Sequence, residues 1–351
     1  MSAAPPLPVD SLDMWGATAG LPEQIDEAID RAAEADLTAV AGRSFDSVVV
    51  CGMGGSGIAG DVVTAIAWPR ARLPVQVVKG YRLPRYVKET TLVFAISCSG
   101  DTEETLSAAE DARDRGASVV AVSGKGALAG LVADAGWPVI SVPDAFPQPR
   151  AAFGALSVPP LVVLERLGLL EGMERQLRDA VGTLSVSRDL LVRPGSTAHE
   201  LAARIARTTP LVHGTAGPTG VAAMRWKTQV NENAKAPAFY SLQPELCHNE
   251  VAGWGQHGDV TRQTLTAVVL RYPGVHPRVA RRIELAEQLM TEVVANVLDV
   301  RTDAVSDVAA LFDLSMLGDF VSLHLAAAEG VDPGPVPVLG ELKRCLAEWK
   351  S

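Results

Sequence analysis

Short runs of β-branched and small apolar residues alternate along this chain with longer stretches of helical character. Val48 to Cys51, Val75 to Lys79, Leu92 to Ser97 and Ser118 to Ser123 read as strands, with a shorter one at Val139 to Val142. Val48 to Cys51 suits a central strand, being β-branched or small throughout. A helical segment near Pro22 to Val40 precedes these runs, and helical stretches separate them. Alternation of this kind predicts a parallel sheet in an α/β fold, with ligands beyond the carboxyl ends of its strands. From about Arg150 through Val186 the pattern turns helical, a bridge to a second half that repeats the layout more loosely. There Leu211 to Gly217 parallels the first strand and turn, and a helix follows from Thr219. Strands are predicted at Leu265 to Leu270 and Ala295 to Val300, and closing helices at 303–329 and 337–349. The predicted division is residues 1–150, a bridge over 151–190, and 191–351.

Two strand ends carry candidate chemistry. The first strand opens into Gly52-Met53-Gly54-Gly55-Ser56-Gly57, where glycines remove the Cβ atoms that keep a ligand off the backbone. The free N–H groups of the next helix would then face an anion, supported by the helix dipole. A dinucleotide fold would want an acidic residue closing the following strand, and Lys79-Gly80 stand there instead. No Gly-Lys-Ser/Thr follows, which excludes a nucleotide P-loop. The second end reads Ser97-Cys98-Ser99-Gly100-Asp101-Thr102 and leads into a helix. Ser97, Ser99 and Thr102 can each donate to a phosphate oxygen, while Ser99 or Thr102 also suits a helix cap.

Together these loops resemble the phosphosugar-binding loops of sugar isomerase (SIS) domains. Further segments narrow the likeness: Pro149-Arg150 followed by Gly154, Lys227 to Lys235 containing Asn231-Glu232-Asn233-Ala234, and Glu245 to Trp254 containing His248-Asn249-Glu250. In order and type these are similar to the bifunctional phosphoglucose/phosphomannose isomerases, from about Gly52 to Lys343. The resemblance implies two doubly wound, flavodoxin-like SIS subdomains with helices on both faces. It implies an aldose–ketose isomerase acting on hexose 6-phosphates through ring opening and a cis-enediolate, with neither cofactor nor metal. Gly55, Ser56, Ser97, Ser99 and Thr102 are then phosphate contacts. Glu232 is the base that carries a proton between C1 and C2, and Arg150 is the fixed cation beside the enediolate. His248 is the ring-opening group, with Lys343 as its partner, and the histidine crosses to the neighbouring subunit of a homodimer. The remaining histidines, His199, His213, His257, His276 and His324, are expected to be structural or solvated.

Three positions depart from the family pattern: Cys98 stands where tyrosine is frequent, and Asp101 and Cys247 where asparagine is common. Asp101 would repel a phosphate unless its side chain turns away to cap a helix. Two rival readings stay open, a sugar-phosphate sensor without turnover and an isomerase of another phosphosugar.

Composition narrows the partners. The 351 residues, 48% hydrophobic and 21% charged, supply material for two cores. A net charge of −10 argues against nucleic acid, so an anionic substrate must be caught by local geometry. Cys51, Cys98, Cys247 and Cys345 have no metal-ligand spacing and read as reduced thiols of a cytoplasmic protein. The N-terminus, with Pro5, Pro6 and Pro8, lacks the basic and apolar regions of a signal peptide. No charge-free apolar run approaches the roughly 20 residues of a membrane span, 151–164 coming nearest.

Overall fold

The computed structural model describes residues 8–349; Pro5 and Pro6 lie outside them. Two helices, α1 (Met14–Ala19) and α2 (Leu21–Glu34), precede the first sheet. The latter stops short of Val40 because Ala35 adopts extended backbone, and the Asp36 carboxylate accepts the Thr38 N–H at 2.9 Å.

The first sheet is built from β1 (Ser47–Cys51), α3 (Gly54–Ala67), β2 (Val75–Val78), β3 (Thr91–Ile96), α4 (Glu103–Asp114), β4 (Ser118–Val122), α5 (Gly126–Ala135) and β5 (Val139–Ile140). Its strand order is β2-β1-β3-β4-β5 with every pairing parallel. That is the flavodoxin-like doubly wound order, whose switch point lies between β1 and β3. The two phosphate-type loops are the ones that leave those two strands.

The helical bridge consists of two helices. A 3-10 turn at Pro149–Ala151 enters α6 (Phe153–Arg166), and α7 (Met173–Leu191) starts after Gly172, which sits at φ 68°. Beyond α8 (Thr197–Ile205), the second half comprises β6 (Thr209–Thr215), α9 (Pro218–Asn233), β7 (Phe239–Gln243), α10 (Gly258–Thr264), β8 (Leu265–Arg271), α11 (Pro277–Met290) and β9 (Asn296–Arg301). Helices α12 (Asp307–Ala328) and α13 (Pro337–Glu348) close the chain. The second sheet is again parallel, ordered β7-β6-β8-β9.

Strand periodicity explains why both faces of the first sheet are covered. Val48 and Val50 of β1 point into a core that continues through α2, α3 and α6, whereas Val49 and Cys51 pack with Ala108, Ala109 and Ala112 of α4. The larger core runs on through α9 and α12 to Val212, Val268 and Leu298 of the second sheet, so one apolar body supports both halves. Within it α12, although not charge-free because of Asp313 and Asp319, is long and apolar enough to cross a membrane, yet 94% of its apolar window is buried in the protein. Its neighbours are α7, α8 and α9, which is the setting of a central core helix.

Candidate active site

The start of α3 is uncapped by any side chain: Met53 is the N-cap residue, and Gly54 takes φ 54°. A Cβ on Gly55 would lie 2.8 Å from the Pro149 carbonyl and 2.9 Å from the Arg150 nitrogen. The glycine therefore admits the backbone of the Arg150 segment against the helix start, a packing demand in addition to any ligand approach. The Ser56 hydroxyl accepts the Cys98 N–H at 3.2 Å, which ties the glycine loop to the serine loop.

The serine loop sorts its hydroxyls. Ser97 is buried, and its hydroxyl accepts the Gly100 N–H at 3.0 Å and donates to Thr102 Oγ1 at 3.3 Å. It thus braces the turn from behind, outside the lining of the cleft. Ser99 and Thr102 do line the cleft, and Thr102, although it precedes α4, makes no side-chain cap. Asp101 turns away. Its Oδ1 accepts the Ala127 N–H at 2.8 Å and so caps α5, the neighbouring helix, where the first amides lack an N-cap side chain. Gly100 is required there, since a Cβ would fall 1.7 Å from the Lys125 carbonyl oxygen.

Facing these loops across a cleft of about 580 Å³ are Arg150, Glu232 and Lys343. Arg150 is 4% exposed, far from a solvated surface arginine. Its Nη1 donates to Glu232 Oε2 at 3.2 Å and its Nε to Asn233 Oδ1 at 2.9 Å. Nη2 donates to the carbonyls of Pro333 and Gly334 at 2.7 and 2.8 Å. Burial lowers its pKa from the ordinary value and the Glu232 charge opposes that effect. Glu232 sits at the last turn of α9 with its side chain 29% exposed, one face on Arg150 and the other open to the cleft. Below them Arg225 pairs with Asp319 at 2.6 Å, stacks over the Phe153 ring at 3.8 Å and donates to the Arg150 carbonyl at 3.0 Å. That buried pair links α9, α12 and the Arg150 turn. Lys235, at φ 54°, donates to the Glu232 and Pro333 carbonyls, and burial followed by Arg150 lowers its pKa.

One predicted residue stands apart. His248 ends an exposed 3-10 turn beyond β7, with its Nε2 at 3.1 Å from Arg282 Nη1, and does not line the cleft of its own chain. Glu104 and Gln148, which do line it, were not singled out from the sequence, although each adjoins a motif that was. Among the described residues no group of three or more His, Cys, Asp or Glu side chains is arranged to hold a metal ion.

The chain has relatives among known proteins. Over 342 residues, 96% of this chain and 100% of the relative, it is 36% identical to the bifunctional phosphoglucose/phosphomannose isomerase of Caldicellulosiruptor bescii. The chain belongs to the bifunctional phosphoglucose/phosphomannose isomerase family. The Aquifex aeolicus member is 35% identical, across 86% of this chain and 91% of its own. Residues 195–346 match the family described as bacterial phospho-glucose isomerase C-terminal SIS domain, which contains Glu232, His248 and Lys343. Among solved structures, the C-terminal domain of glucosamine-fructose-6-phosphate aminotransferase from Francisella tularensis superposes with a TM-score of 0.70 at 15% identity, covering 92% of this chain and 98% of that one. At that identity the likeness speaks for the fold, two SIS-type parallel sheets with helices on both faces.

Proposed function

We propose that this cleft interconverts glucose 6-phosphate or mannose 6-phosphate with fructose 6-phosphate. The observation that carries the reading is the Arg150–Glu232 pair at 3.2 Å, facing a helix start and the Ser99 and Thr102 side chains. The phosphate is taken by the Gly54-Gly55 amides and by Ser56, Ser99 and Thr102, while Ser97 holds the turn in shape. Glu232 removes a proton from C1 of the open ketose and returns it to C2, and the hydroxyl proton moves between O2 and O1. Negative charge develops on those oxygens between the two transfers. Arg150 is already desolvated and held by three other acceptors, so it stabilises that charge without reorganising. The positive charge needed at the enediolate thus comes from the side chain, and the reading calls for no metal.

Ring opening precedes this: a proton leaves the anomeric hydroxyl, another joins the ring oxygen, and the C–O bond to that oxygen breaks. His248, with Lys343, is proposed for that exchange. The exposure of His248 away from its own cleft supports its delivery into the cleft of a second subunit in a homodimer. Mixing Glu232→Gln with His248→Gln subunits should then restore about a quarter of wild-type activity, one intact site per mixed dimer; no recovery on exchange would overturn the shared site. The proposed location is the cytoplasm, supported by four unpaired cysteines of which Cys51, raised by burial to about 12, is inert.

The direct test is conversion of fructose 6-phosphate in chelator-treated buffer, with both aldose products read by NMR. Formation of glucose 6-phosphate and mannose 6-phosphate supports the reading. Saturable binding without either product would favour a sensor, and conversion of only another phosphosugar would move the substrate class.

A further inference from the structure

The segment that carries His248 runs from Pro244 to His257 with no regular structure beyond two 3-10 turns, so something must fix the ring in space. Leu246 and Trp254 are buried and keep the segment attached to the protein. Neither hydrogen-bonds the His248 ring, whose Nε2 lies 3.1 Å from Arg282 Nη1. Between Leu246 and Trp254, Glu250 turns inward toward two adjacent strands. Its Oε1 lies 3.0 Å from Nε2 of His213 on β6, and its Oε2 accepts the hydroxyl of Ser241 on β7. The Glu250 N–H is in turn accepted by Asn249 Oδ1 at 2.6 Å, and Asn249 donates to Glu245 at 3.0 Å.

His213 is the fixed point of this group. It is 1% exposed on a strand with partners on both sides, and its Nδ1 is buried without a hydrogen-bond partner. Because a carboxylate only accepts, Nε2 is the donor in its contact with Glu250. Burial pushes the Glu250 carboxyl up, but the hydrogen bonds from His213 and Ser241 outweigh it and hold it below its ordinary range. A half-buried carboxylate set against a core imidazole is a costly way to gain stability, since an apolar pair of similar volume would pack as well. What such a contact supplies is a defined geometry, as outer partners do for the imidazoles they orient.

We propose that Glu250, anchored by His213 and Ser241, is the positioning residue that fixes His248 for ring opening. The proposal rests on the ring-opening role of His248 stated above. It assigns His213 a part in the reaction at one remove, although His213 touches no substrate.

The test separates ring opening from proton transfer by substrate. 5-Deoxy-D-fructose 6-phosphate has no 5-hydroxyl and its 6-oxygen is esterified, so it stays open and needs only the enediolate steps. Turnover of this analogue and of fructose 6-phosphate is compared in wild type, His248→Gln, Glu250→Ala, Glu250→Gln and Ser241→Ala. His248→Gln should lose about 10²-fold on fructose 6-phosphate and little on the analogue. Glu250→Ala should show the same split, with a loss of roughly tenfold or more on fructose 6-phosphate, because a misplacement of about 1 Å is costly at a proton transfer. Glu250→Gln, which can still accept from His213, should recover most of that loss. If Glu250→Ala fails to fold, Ser241→Ala removes one of the two anchors at a milder site and should give a smaller split of the same sign. A split in His248→Gln together with equal losses, or no loss, on both substrates in the Glu250 and Ser241 variants overturns the positioning role alone. Equal losses in His248→Gln overturn the ring-opening role, and the positioning proposal with it.

Discussion

Replacing Arg150 by alanine should damage both the fold and the reaction, and the two effects can be separated. The guanidinium, 4% exposed, satisfies the Glu232 carboxylate, the Asn233 side-chain carbonyl and the backbone carbonyls of Pro333 and Gly334. Removing it leaves two acceptors, Asn233 Oδ1 and the Gly334 carbonyl, without a donor, while Pro333 keeps Lys235; each costs about 1–3 kcal/mol before water relaxes the site. Breaking a buried charged pair by deleting one member costs about 3–5 kcal/mol, which sets the expected loss of stability at about that size. The turn at Pro333 and Gly334 leads directly into α13, which has no buried residue of its own, so the same change should loosen the position of Lys343. Arg150→Lys isolates the catalytic part: it keeps a positive charge but has three donors on a flexible stem and cannot reproduce the fork. We expect Arg150→Lys to lose about 1–3 kcal/mol in urea unfolding. Its kcat should fall about 10²-fold, the size of a lost preorganised contact to developing charge. Unfolding midpoints and isomerisation rates measured on both variants decide the matter. Wild-type stability in Arg150→Ala, or wild-type kcat in Arg150→Lys, would refute the reasoning.

Three further outcomes follow from separate parts of the molecule. Gly55→Ala, with its Cβ at 2.8 Å from the Pro149 carbonyl, should cost about 1–3 kcal/mol by overpacking and raise KM through displacement of the phosphate loop; an unchanged KM would argue against that loop as the phosphate cradle. Asp101→Ala should destabilise α5 by about 1 kcal/mol through loss of the Ala127 contact while leaving kcat alone, to be read by thermal unfolding beside kinetics. His324, packed edge-on against Trp15 and 5.1 Å from His199, is lowered by burial, then by His199, from 6.5 to about 4. The unfolded chain takes up this proton first, so stability present above pH 6.5 should be lost as the pH falls toward 4. The loss amounts to at most about 3 kcal/mol, and His324→Leu should flatten that part of the pH profile.

Much of this was legible in the chain. β1, β3 and β4 were found within a residue because fully buried parallel strands are continuous apolar runs, and the edge strands β2 and β5 within a residue or two because each still carries a short β-branched run. β7 was missed for the opposite reason: as an edge strand it exposes Phe239, Tyr240 and Leu242, and its sequence carries no run to detect. Glu232 and Arg150 stood out through their flanking motifs, but their contact spans 82 residues, and no local pattern encodes it. Asp101 was expected to turn toward a helix, and it caps α5 in place of its own helix, a choice set by tertiary proximity. His213 was read as structural or solvated, and its pairing with Glu250 on a distant turn became apparent only when β6 and β7 lay side by side. The Arg225–Asp319 pair beneath the site was invisible for the same reason.

The central claim is that Glu232 carries the proton between C1 and C2, and exchange with solvent tests it most directly. Fructose 6-phosphate is incubated in deuterated water with wild type and with Glu232→Gln, under conditions where binding of a nonreactive hexose phosphate confirms an intact site. The wild type should place deuterium at C2 of the aldose products and at C1 of recovered ketose. Glu232→Gln should bind with similar affinity and incorporate none. Deuterium incorporation at the wild-type rate in Glu232→Gln would contradict the account and send the search for the base elsewhere in the cleft.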